Sequence, residues 1–230
     1  MSVDGRLGEV GAAYERAVFG GDISRLAAAE RGLDVVEADV ALARGRILHA
    51  RYLAARAAGS SPAEDPAELP LFERAAELYR RAGDVRGEGA ALFWTGCLHQ
   101  VIRRDDDVAV PYLERSQRLA AETGDQAVEA EALRHLGIAA HAAGRLDDAR
   151  SRLEESARLW REAGTPEGVA ANMVGLAYIA AAQGRVTDAM AILDEAYAIA
   201  APREAYAIAA PREAYAVVDQ IEQARAGIRA

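Results

Sequence analysis

The sequence predicts an all-α fold, an α-α superhelix assembled from antiparallel helix hairpins, on three observations. First, 51% of the 230 residues are hydrophobic but only 6% are aromatic, because alanine supplies much of the apolar content. Alanine is the strongest helix former, and its small side chain lets helices approach closely. Second, similar turn signals recur along the chain at a nearly constant spacing. Third, apolar residues between the turns follow the helical period, and no segment has the alternating β-branched pattern of a strand.

The turn signals are pairs of a glycine and a polar residue: Gly83-Asp84, Gly124-Asp125 and Gly164-Thr165. Each glycine is predicted to end one helix, and the polar residue after it to cap the N-terminus of the next. Pro166 then occupies the first helical position, which proline favours. A second landmark falls in the middle of the repeat, where residues 144–149 recur in modified form at 184–189.

Between these landmarks the apolar residues recur at i, i+3 or i+4, and i+7, which predicts one buried face on each helix. In the first helices this face comprises Leu133, Leu136, Ala140 and Ala143, then Val169, Met173, Leu176 and Ala180. In the second helices it comprises Ala149, Leu153, Ser156 and Trp160, then Ala189, Leu193, Ala196 and Ala200. Each repeat is therefore predicted to be two antiparallel helices joined by a tight turn.

These residues resemble the tetratricopeptide repeat (TPR) family, whose pattern places Leu-Gly on the first helix and Ala with Leu or an aromatic residue on the second. The copies that resemble it are Leu136-Gly137 with Ala149 and Leu153, Leu176-Ala177 with Ala189 and Leu193, and, more weakly, Gly96 with Ala109 and Leu113. Pro202 lies where the family places its helix-ending proline. Most of the aromatic positions hold Ala or Leu instead.

The period of about 40 residues exceeds the usual TPR period of about 34 by roughly one helical turn per helix. An added turn keeps the buried faces in register. The repeats therefore resemble the long TPRs of bacterial regulator arms and kinesin-light-chain-like proteins, and the resemblance covers residues 84–202.

The resemblance implies one TPR-like domain over residues 1–230, most regular at 84–202. Residues 1–83 are predicted to form divergent hairpins, with residues 203–230 as a C-terminal cap. The predicted N-terminal elements are helices at 4–19, 22–31, 34–58 and 71–81, a turn at Gly20-Gly21-Asp22, and a loop at 59–69 rich in Pro, Ser and Gly. We expect this loop to be a surface insertion or a lid.

A nine-residue segment is duplicated near the C-terminus: residues 195–203 recur unchanged at 204–212. Pro202 and Pro211 should each kink or break a helix. Two interpretations remain open at this point. The duplication is either recent and without function, or it forms kinked segments that cap the array or join a second subunit in a homo-oligomer.

Composition restricts the classes of partner and setting. The 27 basic residues, all Arg, are outnumbered by 36 acidic ones, and this acidic balance disfavours nucleic acid as a partner. An amphipathic or basic peptide suits it better. The single cysteine, Cys97, permits no internal disulfide, and we find no leader and no apolar run long enough to cross a membrane. We expect a cytoplasmic protein of bacterial type.

The sequence does not predict an enzyme, a metal site or a cofactor. His135 and His141 lie about 240° apart on a helix, so they cannot share a metal ion locally. Cys97 is expected to be a buried apolar thiol, although a nucleophile paired with a distant His remains an alternative. The acidic run at 105–107 lacks the alternation of a calcium loop and fits a solvated helix N-terminus.

A concave groove lined by the first helices is the functional surface that the TPR resemblance implies. The candidate partner-binding residues are Phe93, Trp94, Cys97, Gln100, Arg134, Ile138, His141, Asn172 and Tyr178. Phe93, Trp94 and Tyr178 are the expected anchors, and Arg134 is expected to set the polarity. The predicted function is an adaptor that binds a protein or peptide. The alternative is a signal-sensing module of a transcription-regulating system that binds a small molecule or signalling peptide.

Overall fold

A computed structural model describes residues 2–200 and 212–229, with side chains at 2–200 and 217–229. Over these ranges the chain is helical, with no strand. The helices are α1 (Val3–Gly20), α2 (Leu26–Ala57), α3 (Glu68–Ala82), α4 (Val85–Cys97), α5 (Asp106–Thr123), α6 (Gln126–Ala142), α7 (Leu146–Glu162), α8 (Pro166–Ala182), α9 (Val186–Ala200) and α10 (Arg212–Arg229). A π-helical turn, Leu98–Ile102, extends α4. The all-α prediction is confirmed, and the chain divides into two compact units, Met1–Thr123 and Gly124–Ala230.

The predicted turns lie where the glycines place them. Gly83, Gly124 and Gly164 adopt left-handed backbone angles, with φ of 74°, 68° and 70°. This conformation ends a helix and carries little steric penalty for glycine. The Asp84 side chain then accepts a hydrogen bond from the Gly87 N–H at 2.9 Å, which caps α4 as expected. Thr165 precedes α8 but makes no such side-chain bond.

In the N-terminal unit, α2 pairs with α3 and α4 pairs with α5, while α1 packs on α2. The predicted break between helices at 22–31 and 34–58 is wrong, because one helix runs without interruption from Leu26 to Ala57. The half-buried Gly32 lies inside this helix beside the Arg6 side chain of α1. A glycine in a helix costs only about 1 kcal/mol, which tertiary packing readily offsets.

The predicted loop at 59–69 is shorter than expected, because α3 begins at Glu68 rather than Leu71. The Asp65 side chain accepts a hydrogen bond from the Ala67 N–H at 2.9 Å and so organises the approach to the helix. Pro70 is tolerated because the first turn of a helix needs no donor at that position.

In the C-terminal unit, α6 pairs with α7, α8 pairs with α9, and α10 packs on both α8 and α9. The core contains the predicted stripes of all four repeat helices, with Leu153, Leu193 and Ile221 at its centre. Ala143 is the exception: it is exposed because α6 ends at Ala142. Most of the duplicated segment, including Pro202 and Pro211, lies outside the described residues.

Glycines at hairpin contacts let large side chains approach the neighbouring helix backbone. A Cβ added to Gly96 of α4 would lie 2.7 Å from Leu113 Cδ2 of α5. One added to Gly137 of α6 would lie 2.9 Å from Leu153 Cγ of α7. Gly96 and Gly137 hold equivalent positions in successive repeats, so both repeats use the same contact. Any larger residue at these positions would separate the two helices of the hairpin.

The caps make a direct test possible. Asp84→Ala is expected to lower the free energy of unfolding by about 1 kcal/mol, because the Gly87 N–H loses its acceptor. Thr165→Ala is the matched control, since Thr165 stands at the same kind of position without the bond. Urea unfolding of both variants measures the difference. An equal loss in the two would contradict the assigned capping role of Asp84.

Candidate partner-binding surfaces

The predicted binding residues fall into the two units. Phe93 and Trp94 of α4, with the adjoining Cys97 and Gln100, belong to the N-terminal unit, and the rest belong to α6 and α8 of the C-terminal unit. Three of the predictions need correction because the side chains are buried in the protein's own core. These are Phe93, Cys97 and Asn172. Side chains with so little accessible surface, 6% for Phe93, 3% for Cys97 and 0% for Asn172, cannot serve as anchors for a partner while the fold is intact.

Asn172 has a structural task instead. Its Nδ2 donates to Ser156 Oγ at 2.9 Å, and Ser156 Oγ donates to the Ala130 carbonyl at 2.6 Å. This chain of buried hydrogen bonds joins α8, α7 and α6. A helical wheel placed Asn172 on an outward face because it does not show which neighbouring helix covers that face.

Trp94 is the centre of an aromatic cluster within the N-terminal unit. His49 and Phe93 contact it edge-on, each with ring centroids 5.4 Å apart, and Phe72 stacks at 6.1 Å. The Arg46 guanidinium lies over the ring at 5.2 Å, in cation–π geometry. The half-buried indole is therefore occupied by residues of its own unit, and its role as a partner anchor is not supported by this arrangement.

A buried polar pair stands beside this cluster. His49 Nδ1 lies 2.8 Å from Glu68 Oε1, and both side chains are almost completely inaccessible. Within the described part of the chain, Glu68 Oε2 has no hydrogen-bond partner. The pair ties α2 to the first turn of α3, where the helix dipole favours a carboxylate. The sequence did not reveal it, because the end of α2 and the loop after it separate the two groups along the chain.

The loop before α3 is clamped to the end of the π-helical turn. The Arg103 guanidinium donates two hydrogen bonds to Glu64, at 2.8 and 2.7 Å, and Arg56 donates to the Val101 carbonyl at 3.4 Å. The hydrogen bond from Arg103 lowers the pKa of the Glu64 carboxyl. Gln100 is also engaged internally, because its Nε2 donates to Asp106 Oδ1 at 2.8 Å. The loop thus acts as a fastened insertion in this structure.

The C-terminal unit contains an open cavity of about 470 Å³. Residues of α6, α7, α8 and α10 line it: Arg134, Gly137, Ile138, His141, Leu153, Ala171, Val174, Gly175, Tyr178, Gln220 and Gln223. We call it the α6/α8/α10 cavity. It brings together four of the nine predicted residues, namely Arg134, Ile138, His141 and Tyr178.

The helical periodicity explains why these residues converge. Arg134, Ile138 and His141 follow the i, i+4, i+7 spacing that places side chains on one face of α6. Tyr178 follows Ile138 by one full repeat and so occupies the same position in the next first helix. Leu153 forms part of the floor because Gly137 and Gly175 leave room for it: a Cβ on Gly175 would lie 2.7 Å from Leu153 Cδ1.

Two polar lining residues were missed by the sequence analysis. Gln220 and Gln223 project from α10 with an i, i+3 spacing, so they share a helix face. The i, i+3 spacing was visible in the sequence. The sequence did not show, however, that α10 would pack on α8.

The cavity has an apolar floor and a polar rim. Within the described residues, the side chains of His141, Tyr178, Gln220 and Gln223 form no hydrogen bond with the protein. Among the described residues that line the cavity, Arg134 is the one that carries a charge, and its Nη1 lies 3.9 Å from Glu131 Oε2. This is a long ion pair that leaves guanidinium N–H donors available. The rim can therefore offer donors and acceptors to a ligand while the floor accepts apolar groups.

Across the described ranges, no group of three His, Cys, Asp or Glu side chains is placed to hold a metal ion. Nor does any helix described here combine the length and apolar character needed to cross a bilayer.

The loop clamp yields a pH-dependent prediction. A lowered carboxyl pKa stabilises the fold above the ordinary value of 4.5, and this stabilisation disappears as the pH falls through the folded-state pKa. Glu64→Gln should therefore cost about 0.5 kcal/mol at pH 7, a small value because the pair is partly solvated, and less at pH 3. The matched control is Glu154→Gln, at an exposed carboxylate with no ion pair among the described residues. Urea titrations at both pH values that show equal losses would contradict the clamp.

One comparison with known proteins, the family model, agrees with the repeat pattern. The tetratricopeptide repeat family model matches residues 128–201. No curated protein matches the chain significantly. Among solved structures, the chain is similar to the nearly identical TPR-like repeats of a Podosopora anserina protein described as a putative kinesin light chain. That alignment has 19% identity and a TM-score of 0.45, and covers 81% of this chain and 97% of the other. Residues 128–201 therefore match the tetratricopeptide repeat family, as the repeat pattern led us to expect for this part of the chain.

Proposed function

We propose that this protein is a non-catalytic adaptor that holds a segment of a protein partner in the α6/α8/α10 cavity. TPR-like repeats generally mediate protein–protein interaction. The observation that carries the proposal is the combination in one cavity of an apolar floor and polar rim groups without protein partners among the described residues. Its volume of about 470 Å³ is within the range of roughly 300–1,000 Å³ that is usual for ligand sites.

The lining indicates what kind of segment would fit. Ile138 and Tyr178 stand side by side on successive repeats, so they can contact neighbouring apolar side chains of an amphipathic segment. Gln220 and Gln223 carry amides that can bond to the backbone of an extended chain or to polar side chains. Exposed aromatic residues such as Tyr178 are frequent anchors in protein interfaces.

The ends of the cavity differ, which would give the bound segment a direction. Arg134 and His141 are seven residues apart on α6, a separation of about 10 Å along the helix axis. The Arg134 guanidinium attracts an acidic or carbonyl-rich part of the segment, whereas the His141 imidazole offers a hydrogen-bonding group. Arg134 thus keeps the polarity-setting role that the sequence analysis gave it, while Tyr178 and Ile138 replace Trp94 and Phe93 as anchors.

A small-molecule ligand is the second candidate, because elements far apart in sequence enclose the cavity. Gln220 and Gln223 of α10 complete a lining that α6 and α8 begin. Enclosure on several sides suits a compact ligand as well as a peptide side chain. In such a protein a single metabolite would raise the melting temperature without any peptide present. For both candidates we propose a cytoplasmic setting, on the grounds that the single cysteine of the sequence, Cys97, can form no internal disulfide.

The proposal is tested with peptides selected on the wild-type protein from a displayed random library. Ile138→Asp is expected to weaken the selected peptides at least about tenfold, because a carboxylate replaces an apolar contact in the cavity. The matched control is Val186→Asp, at a similarly exposed apolar residue of the same unit: Ile138 is 39% exposed and Val186 45%. Titration calorimetry measures both. Equal affinities for the two variants would place peptide binding elsewhere, and failure to select any peptide would favour a small-molecule ligand.

A further inference from the structure

The N-terminal unit exposes an unusual amount of apolar surface on its first two helices. On α1 the exposed large apolar residues are Val3, Leu7, Tyr14, Val18 and Phe19. On α2 and the turn before it they are Ile23, Leu26, Leu33, Val40 and Ile47. Single exposed apolar residues are ordinary, but ten of them on two helices that pack together and on the turn between them indicate an interaction surface. We call this set the N-terminal apolar face.

The α2 part of this face has a strict seven-residue period. Leu26, Leu33, Val40 and Ile47 follow one another at intervals of seven, over three heptads of a 32-residue helix. Such residues drift by only about 20° per heptad, so they form one continuous stripe. Three residues after each of them stands a smaller or branched apolar residue, in the order Ala29, Val36, Ala43 and Ala50. This is the a and d pattern of a helix that pairs with another long helix.

The protein's own helices cover only part of this stripe. The 18-residue α1 lies against the first half of α2, where the Arg6 side chain contacts Gly32 and Arg6 Nη1 lies 3.6 Å from Asp39 Oδ2. Ala29 is buried in this region. In the second half of α2, by contrast, Ala43 and Ala50 are exposed. The stripe is therefore uncovered over the half of α2 that α1 is too short to reach.

The charges beside the stripe identify the partner. Four residues after each stripe residue stand Glu30, Glu37, Arg44 and Arg51, so this flank is acidic in the first half of α2 and basic in the second. In an antiparallel pair of identical helices, the acidic half of this flank on one helix lies opposite the basic half of the same flank on the other. Glu30 then faces Arg51 of the other copy. Glu37 lies level with Arg44 of the other copy, although its Oε1 also accepts two hydrogen bonds from Arg74 of its own chain. A helix with this charge order is complementary to itself.

The same register also matches large residues with small ones. In the register that brings Glu30 of one copy close to Arg51 of the other, Leu33 packs opposite Ala50 of the other copy. Val40 packs opposite Ala43 of the other copy. Ile47 packs opposite Val36. Alternation of large and small residues is what close antiparallel helix packing requires. The exposed side of α1 would then lie beside the second half of the other copy's α2, which its own α1 leaves uncovered.

We propose that the N-terminal apolar face is a homodimer interface in which two α2 helices pair antiparallel about a two-fold axis between Val40 and Ala43. This interface lies in a different unit from the α6/α8/α10 cavity, and it is independent of the function proposed for that cavity. It also differs from the C-terminal oligomer contact considered in the sequence analysis. A symmetric pair would present two copies of each binding unit to a partner.

Cysteine cross-linking tests the pairing and its register together. Leu33→Cys and Ala50→Cys are made as separate full-length variants, and Cys97 does not interfere because it is buried. A mild oxidant should yield a covalent dimer only when the two variants are mixed. In the proposed register, residue 33 of one copy meets residue 50 of the other, whereas equal residues stand about 25 Å apart along the axis. Cross-linking of either variant alone, or none in the mixture, would overturn the proposal.

Light scattering provides the second test, on variants that leave the fold unchanged. Val40→Glu should raise the dimer dissociation constant at least about 100-fold, because each dimer loses the contact twice. The control is Val108→Glu on α5: Val40 is 46% exposed and Val108 39%. Glu30→Arg and Arg51→Glu should each weaken the homodimer, and their mixture should form a heterodimer. A wild-type chain that is monomeric at all concentrations, or a dimer insensitive to Val40→Glu, would refute self-pairing.

Discussion

Both units depend on large side chains that occupy the space a Cβ would fill on the next helix. Leu113 lies against Gly96, and Leu153 lies against Gly137 and Gly175. Each contact brings two backbones close enough for the surrounding alanines to pack as well. The contact of Leu153 with the two glycines also shapes the candidate site, because Leu153 fills the space between α6 and α8 and becomes part of the cavity floor. The repeat packing and the binding surface are therefore products of the same small residues.

The polar interactions of the chain serve different purposes in its two units. In the N-terminal unit they are made internally: His49 meets Glu68, Arg103 holds Glu64, and Arg46 covers Trp94. In the C-terminal unit, Asn172 and Ser156 form hydrogen bonds within the core, whereas His141, Tyr178, Gln220 and Gln223 at the cavity form none among the described residues. This contrast is why the C-terminal unit carries the proposed ligand site. The N-terminal unit contributes its apolar face instead.

The sequence predicted local features better than the contacts between distant elements. Turns at Gly83, Gly124 and Gly164 were predicted correctly, because a left-handed glycine followed by a cap is a signal within a few residues. The break near Gly32 was predicted wrongly, since packing on α1 overrides a weak local preference.

At the candidate site, too, the sequence predicted local spacing better than contacts between distant elements. Helical spacing was enough to group Arg134, Ile138 and His141, which share one face of α6. It could not show that Asn172 is covered by α7, nor that Gln220 returns to the cavity from α10. Both facts depend on which helix packs beside which, and a single sequence does not contain that information in its periodicity.

Photo-cross-linking from two tyrosine positions tests most directly whether the α6/α8/α10 cavity holds the partner. Tyr178 lines the cavity and Tyr197 does not, yet they are equally accessible, at 40% and 39% exposed. A benzophenone-bearing amino acid is placed at position 178 in one protein and at position 197 in the other, each with a bound peptide selected on the wild type. Cross-linking from position 178 alone is the predicted result. Cross-linking from position 197 alone, or equally from both, would contradict the cavity as the binding site.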